Sequence, residues 1–290
     1  VSKRISFVKN NIIFATKYFN LDHCFSIKMT QRGSVILSKR KKDGKRVVLK
    51  IASKSVYSTE SDIYPSRSSG LLNEITILEK INGHKNFSKL ISKVINDEIV
   101  ASLIDFVPGK DLFCVPNNYK RQVIISLIKI LFQLHSIGFT HGDIQPKNFL
   151  FSAKNPFKLT LIDFELSKRI TDHNKLYPGK TEYLSPENAF IVLTKGIINN
   201  SVAQDIYSLG VTILSMLAGN SVVSFNKNNL SRTEKLKLLH KKNFYFNITK
   251  VHENFLPLAK IIISILSKKT SEQPQSIKLF AKEIKINHLL

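Results

Sequence analysis

Acidic residues are scarce in this chain of 290 residues: 21 Asp and Glu face 44 Lys and Arg, a formal net charge of +23. Cysteine is scarcer still. Cys24 and Cys114 stand far apart, which excludes a dense disulfide framework and any paired Cys-x-x-Cys metal or redox motif, and suits a reducing compartment. Long apolar runs are missing too. The most apolar region, Val123 to Phe139, is broken by Lys129, Gln133 and His135, so nothing offers the uncharged stretch of about eighteen residues that a membrane-crossing helix needs. The opening Val-Ser-Lys-Arg-Ile leads into a mixed segment without the hydrophobic core or small-residue cleavage site of a secretory peptide. The expectation is a soluble protein, cytoplasmic or delivered into a host. Against these absences stands an ordinary hydrophobic fraction of 43%. That is too much for wholesale disorder and enough for one or two packed domains.

Hydrophobic periodicity divides the chain. Val35 to Lys39 and Val47 to Ile51 read as two strands joined through Asp43-Gly44, a pair suited to a tight reversal because glycine tolerates positive φ. The connecting Lys39, Arg40, Lys41, Lys42, Lys45 and Arg46 form either a solvated hairpin tip or a contact for an acidic partner. From Gly70 to Ile81 the spacing of Leu71, Ile75, Leu78 and Ile81 predicts a helix with one apolar stripe, and Glu74 lies beside that stripe. Leu90 to Ile95 and Ile99 to Phe106 read as further strands. Pro108 and Gly109 then interrupt the pattern and mark the boundary between a smaller lobe, 1–107, and a larger one, 108–290. Beyond it, helices are expected over Tyr119 to Ser136, with Val123, Leu127, Leu131 and Leu134 inward, and near Asp205 to Leu217, Phe255 to Leu266 and Ile277 to Ile286. No internal repeat explains the pattern. The fold class is α+β, a small sheet carrying one helix followed by a mostly helical lobe.

The chemistry concentrates in His141-Gly142-Asp143-Ile144-Gln145-Pro146-Lys147-Asn148-Phe149-Leu150 and in Leu161-Ile162-Asp163-Phe164-Glu165. Two carboxylates and an amide near strand ends can organise a nucleophile and a magnesium-bound phosphate. Across nearly its entire length the chain resembles protein kinases and kinase-like phosphotransferases, a bilobal fold. The resemblance sets Val47-Val48-Leu49-Lys50 on the nucleotide-binding strand, with Lys50 aimed at the α and β phosphates of ATP and Glu74 as its ion-pair partner. It makes Asp143 the residue that orients or deprotonates the acceptor hydroxyl, and Asn148 and Asp163 the holders of Mg²⁺, with Mn²⁺ as the alternative ion. Gly33, Val35, Ile104, Asp105 and Val107 complete the nucleotide-binding set. His141 is expected to brace the loop backbone, and Phe164 to pack between the strand of Lys50 and the helix of Glu74. Gly179-Lys180-Thr181-Glu182-Tyr183-Leu184-Ser185-Pro186-Glu187 resembles the close of an activation segment, and Asp205-Ile206-Tyr207-Ser208-Leu209-Gly210 the helix that anchors the catalytic loop.

The pattern is also altered. Lys28 and Thr30 stand where the first two glycines of a phosphate loop are expected, leaving Gly33, and Lys28 and Arg32 are the candidates for compensating charge. Gly142 replaces the arginine of the usual His-Arg-Asp, so activation is not expected to require a phosphorylated segment. Gln145 occupies the site of a catalytic-loop lysine, and Lys180 is expected to restore that charge from the opposite loop as a third catalytic residue. Glu165 replaces the glycine of Asp-Phe-Gly, with a structural role or a place near the metal. Glu187 lacks its usual arginine, and a hydrogen bond from Gln273 is the expected substitute.

The expectation is an atypical serine/threonine kinase using ATP and magnesium on a protein substrate, autophosphorylation included. A small-molecule kinase of the aminoglycoside-kinase type, or a pseudokinase that serves as a binding module, are the alternatives. The positive field, with Lys227, Arg232, Lys235, Lys237, Lys241 and Lys242 near an expected helix, suits an acidic substrate, an anionic membrane or a nucleic acid, though no specific motif accompanies the last two.

Overall fold

The computed structural model describes residues 10, 13–14, 16–22, 25–30, 33–54, 67–152, 155–172, 179–195, 201–268 and 270–285, with the side chains of 26–30, 67, 155–157, 195 and 270 outside that description. It resolves into two compact units, Val1–Val107 and Pro108–Leu290.

The first unit is built on an antiparallel five-stranded sheet in the order β1-β2-β3-β5-β4: β1 (Ser26–Thr30), β2 (Gly33–Lys39), β3 (Arg46–Ser53), β4 (Leu90–Ile95) and β5 (Ile99–Asp105). The register sets Val35 across from Lys50 and Lys50 across from Ser102. Side chains alternate across a sheet, so the residues directly between these positions point to the other face. Ile36, Leu49, Ile51, Ala101 and Leu103 build one core there with Phe19 and Leu21. On the face of Lys50, the helix α1 (Arg67–Ile81) packs Leu71 and Ile75 against Ala52 and Val100. Burying each such side chain is worth roughly 1.5–3 kcal/mol, which fixes the helix on that face. The β2–β3 turn is held by Arg40, whose guanidinium pairs with Asp43 at 2.5 Å, while residues 41–46 stay exposed. The hairpin tip is thus largely solvated.

The second unit is mostly helical. Its helices are α2 (Lys120–Ser136), α3 (Pro186–Lys195), α4 (Val202–Ala218), α5 (Arg232–His240), α6 (Leu256–Ser267) and α7 (Ile277–Glu283). Val123, Leu127, Leu131 and Leu134 of α2 are all buried, and α4 is buried over nearly its whole length. Helix α7 ends at Glu283, followed by Lys285 at φ 59°, so the expected run to Ile286 stops short; Ile286 lies outside the described residues. A capping box between Ser231 and Glu234 starts α5, which carries Arg232, Lys235 and Lys237. Short strands frame the loops: β6 (Lys110–Asp111), β8 (Phe149–Ser152) and β9 (Asn155–Leu161) form one small sheet, and β7 (Phe139–Thr140) pairs with β10 (Lys168–Arg169). A third pair joins β11 (Val223–Ser224) to β12 (Tyr245–Phe246). Among the described residues no helix is long and apolar enough to cross a membrane.

Candidate active site

In the first unit Lys50 and Glu74 meet as an ion pair, Nζ to Oε1 at 2.8 Å, with 9% and 0% of their surfaces exposed. A lysine on β3 needs a carboxylate on the same sheet face. Helix α1 supplies it because its apolar stripe packs beside Lys50, which turns Glu74 inward. Val35 and Ile104 share that face, since Val35 opposes Lys50 and Ile104 opposes Val48. Asp105 ends β5, where its N–H donates to the Lys89 carbonyl at 3.0 Å; the chain leaves through Phe106, which lies against Arg46, and Val107. Where the phosphate loop is expected, Thr30 opposes Gly33, so Lys28 and Thr30 belong to β1 and Gly33 opens β2. The Lys28 side chain and all of Arg32 fall outside the described residues, and the expected charge compensation falls there with them.

In the second unit the loop 141–148 runs between β7 and β8, and Asp163 follows β9. The loop is anchored from below by Asp205 of α4. Its carboxylate accepts the N–H of His141 at 2.7 Å, the N–H of Gly142 at 2.9 Å and the His135 ring nitrogen Nε2 at 3.0 Å. Burial pushes the Asp205 acid up, and these hydrogen bonds more than reverse that, leaving it below its ordinary value. Gly142 has φ 81°, the left-handed region that glycine enters without strain. His141 is fully buried. Its Nδ1 accepts the Asp143 N–H at 3.3 Å and its Nε2 faces the Ile162 carbonyl at 3.2 Å, two contacts satisfied together by the neutral tautomer with hydrogen on Nε2. Phe164 stacks edge-on against the His141 ring at 5.1 Å. This contact ties the two loops that carry the carboxylates.

Asp143 is gripped at both oxygens. Oδ2 accepts from the side-chain amides of Gln145 at 2.5 Å and Asn148 at 2.9 Å, and Oδ1 accepts the Lys180 peptide N–H at 3.3 Å. Asn148 also donates to the Asp143 carbonyl at 2.8 Å. Its amide hydrogens are thereby used locally, and its oxygen is the atom left for a cation. Burial and the nearby Asp163 charge push Asp143 above its ordinary value, while the two amide hydrogen bonds pull the other way. Asp163 itself sits at φ 70°, a left-handed conformation costly for a residue with a β-carbon. The strain falls there and not at Glu165, which lies inside the turn closed by the Ser167 N–H on the Phe164 carbonyl. Carboxylate oxygens of Asp163 and Glu165 come within 4.8 Å of each other. Hard oxygen donors of this kind suit magnesium or manganese.

Lys180 reaches Asp143 by its backbone. The close approach is enforced at Gly179, where a β-carbon would stand 2.5 Å from Asp143 Oδ1. Beyond it, the segment to Glu187 is fastened by an amide network that the motifs did not signal. The Gln204 carbonyl oxygen accepts from the Ser185 N–H at 3.1 Å and from the Asn188 amide, and its nitrogen donates to the Tyr183 carbonyl at 3.0 Å. Ser208 donates to the same carbonyl at 2.8 Å. Gln273 donates instead to the Leu266 and Lys268 carbonyls, each at 3.1 Å, so the expected bond to Glu187 is not made. The amide ends up closing the C-terminal turn of α6, the nearest set of unpaired carbonyls.

A sequence model of the protein kinase domain matches residues 30–284. The chain belongs to the protein kinase domain family. Similar members include a probable serine/threonine-protein kinase, fhkC, of Dictyostelium discoideum, 28% identical over 64% of this chain and 31% of its own. The cAMP-dependent protein kinase catalytic subunit PRKX of mouse is 30% identical over 51% of this chain and 41% of its own. A probable serine/threonine-protein kinase 2 of Plasmodium falciparum is 31% identical over 71% of this chain and 38% of its own. The chain spans less than half the length of each of these relatives. Membership in the protein kinase family supports phosphotransfer of the kinase type.

Proposed function

We propose that the chain is a serine/threonine kinase with altered loops, in which the Lys50–Glu74 pair of the first unit serves the nucleotide ATP and the Asp143, Asn148 and Asp163 groups of the second serve metal and acceptor. The observation that carries this reading is the grip on Asp143: three donors from Gln145, Asn148 and Lys180 hold one carboxylate in a fixed orientation beside Asp163. Asp205, which anchors the loop, is held by as many donors, but Asp143 is held beside a second carboxylate, Asp163, whose charge pushes it up, a placement costly without a cation to bridge the two. The acceptor hydroxyl oxygen bonds to the γ phosphorus as the bond to the β–γ bridging oxygen breaks, and the hydroxyl proton passes to the Asp143 carboxylate. Lys50 holds the α and β phosphates, Val35 and Ile104 offer apolar contact to the nucleotide base, and Gly33, Asp105 and Val107 provide backbone around it. Asn148 and Asp163 would hold magnesium, with manganese as the alternative, which neutralises phosphate charge when bound. Lys180 lies beside Gln145 on the wall of one cavity, which supports a cation there in place of a loop lysine.

The test is magnesium-dependent ATP consumption and radiolabel transfer in the wild type and in Asp163→Ala, against protein and metabolite panels. Transfer to Ser or Thr of protein, lost in Asp163→Ala, is the expected result, with Lys180→Ala lowering turnover more than Lys195→Ala. Transfer to metabolites alone would overturn the protein acceptor. The absence of any transfer would favour a binding module, the second reading that Lys28 and Thr30 in place of glycines supports.

A further inference from the structure

Beside the grip on Asp143 the second unit holds a cavity of about 580 Å³ lined by Gln145, Lys147, Lys180, Glu182 and Tyr183, with Phe113 and the 219–221 turn at its rim. Gln145 connects it to the reacting end, since its amide bonds to Asp143. The charges in this cavity are unequal. The Glu182 carboxylate is engaged by Lys235 of α5 at 2.7 Å. Lys147 and Lys180 are exposed, and among the described residues neither ammonium makes an ion pair or hydrogen bond. Arg232 adds a further cation nearby, its guanidinium 3.5 Å from the Gly179 carbonyl. The acid among the lining residues is therefore Glu182, and Lys235 neutralises it. Two solvated ammonium groups bordering a concave space are a poor host for an arginine or lysine and a good one for an anion.

We propose that this cavity selects acceptor peptides carrying an anionic residue, a carboxylate or a phosphate, close to the acceptor hydroxyl, with Lys147 as the specificity-determining residue. The inference rests on the phosphotransfer reading above and narrows its substrate class. Lys147 lies four residues past Asp143 on the same loop, at the surface of a short helical turn from Pro146 to Asn148. Its backbone is set by the loop that sets Asp143, while the donors to that carboxylate are Gln145, Asn148 and Lys180 and not Lys147. It can therefore read a neighbouring residue without taking part in transfer.

The experiment uses four serine peptides that differ in one flanking residue: alanine, glutamate, phosphoserine or arginine. Binding is read by fluorescence anisotropy without nucleotide, and transfer is read in parallel. Wild type should bind the glutamate and phosphoserine peptides more tightly than the alanine peptide by about fivefold, the size expected of a partly exposed charge pair. That preference should shrink as salt rises and appear in KM with kcat nearly constant. Lys147→Ala should abolish it with transfer to the alanine peptide retained, and Lys147→Glu should shift it toward arginine. A larger gain for phosphoserine than for glutamate would name phosphate as the preferred source, and the reverse would name carboxylate. Equal binding of all four peptides, or a preference unchanged in Lys147→Glu, would overturn the inference. Anionic preference in binding with no transfer to any peptide would uphold the cavity as an anion-reading peptide site and sink the phosphotransfer reading together with the acceptor role that rests on it.

Discussion

Lys50 and Glu74 show how much can hang on one charged pair. A lysine at 9% exposure against a carboxylate at 0% is tolerable because each charge answers the other. Removing one partner strands a buried ion, and such losses run to about 3–5 kcal/mol, whereas replacing both by apolar groups of similar size is often close to neutral. Lys50→Met should accordingly lower the urea midpoint strongly, and Lys50→Met with Glu74→Leu should recover most of the loss while remaining inactive. A double variant no more stable than the single one would show that the pair does not set the stability of α1. At this scale the sequence was legible where chemistry follows a motif. The Lys50–Glu74 ion pair stands where the spelling puts it. The Lys180 contact was legible only in part, because a peptide N–H carries no side-chain signature. The anticipated Gln273 bond to Glu187 fails for a similar reason, since the backbone carbonyls that won the amide are invisible in the sequence.

At the scale of elements, the period of the apolar residues located α1, α2, α4, α6 and the strands β2 to β5 to within a few residues. Strand β1 was missed because its five residues, Ser26–Thr30, alternate too briefly to be told from a loop. Helix α3 carries no separate signal in the sequence, because Pro186 and Glu187, which open it, also close the motif before it. The β8–β9 hairpin hides between two catalytic stretches. The helix that anchors the loop, α4, makes its own prediction. Asp205 has a native pKa below the ordinary 3.8, so the stability it contributes is full above that value and is lost as pH falls through the lower native one. Hydrogen bonds to charged groups are worth about 1.5–3 kcal/mol each, and Asp205→Asn forfeits the charge behind three of them. Thermal scans at pH 7 should place Asp205→Asn well below wild type. The gap should narrow as the buffer is brought below pH 4, and a gap that widened in acid would contradict the assignment.

At the scale of the whole molecule the excess of cations dominates. A net charge of +23 on 290 residues repels itself in the folded state, and salt screens that repulsion over about 10 Å at 0.1 M. The melting temperature should therefore rise by about several degrees between 10 mM and 300 mM sodium chloride, the reverse of what surface ion pairs such as Lys268–Glu283 would give alone. A melting temperature that fell over this range would mean that paired charges outweigh unpaired ones.

The network around Gln204 sets a limit to that sensitivity. Every bond it makes to Tyr183, Ser185, Asn188 and Ser208 joins neutral groups. Such a clasp is indifferent to brine and to acidity alike. A chain whose surface responds so strongly to ions thus fixes the Tyr183 wall of the hollow proposed for peptides with parts that do not respond at all: in concentrated electrolyte that wall would hold while the hollow went blind to the charge of what enters it.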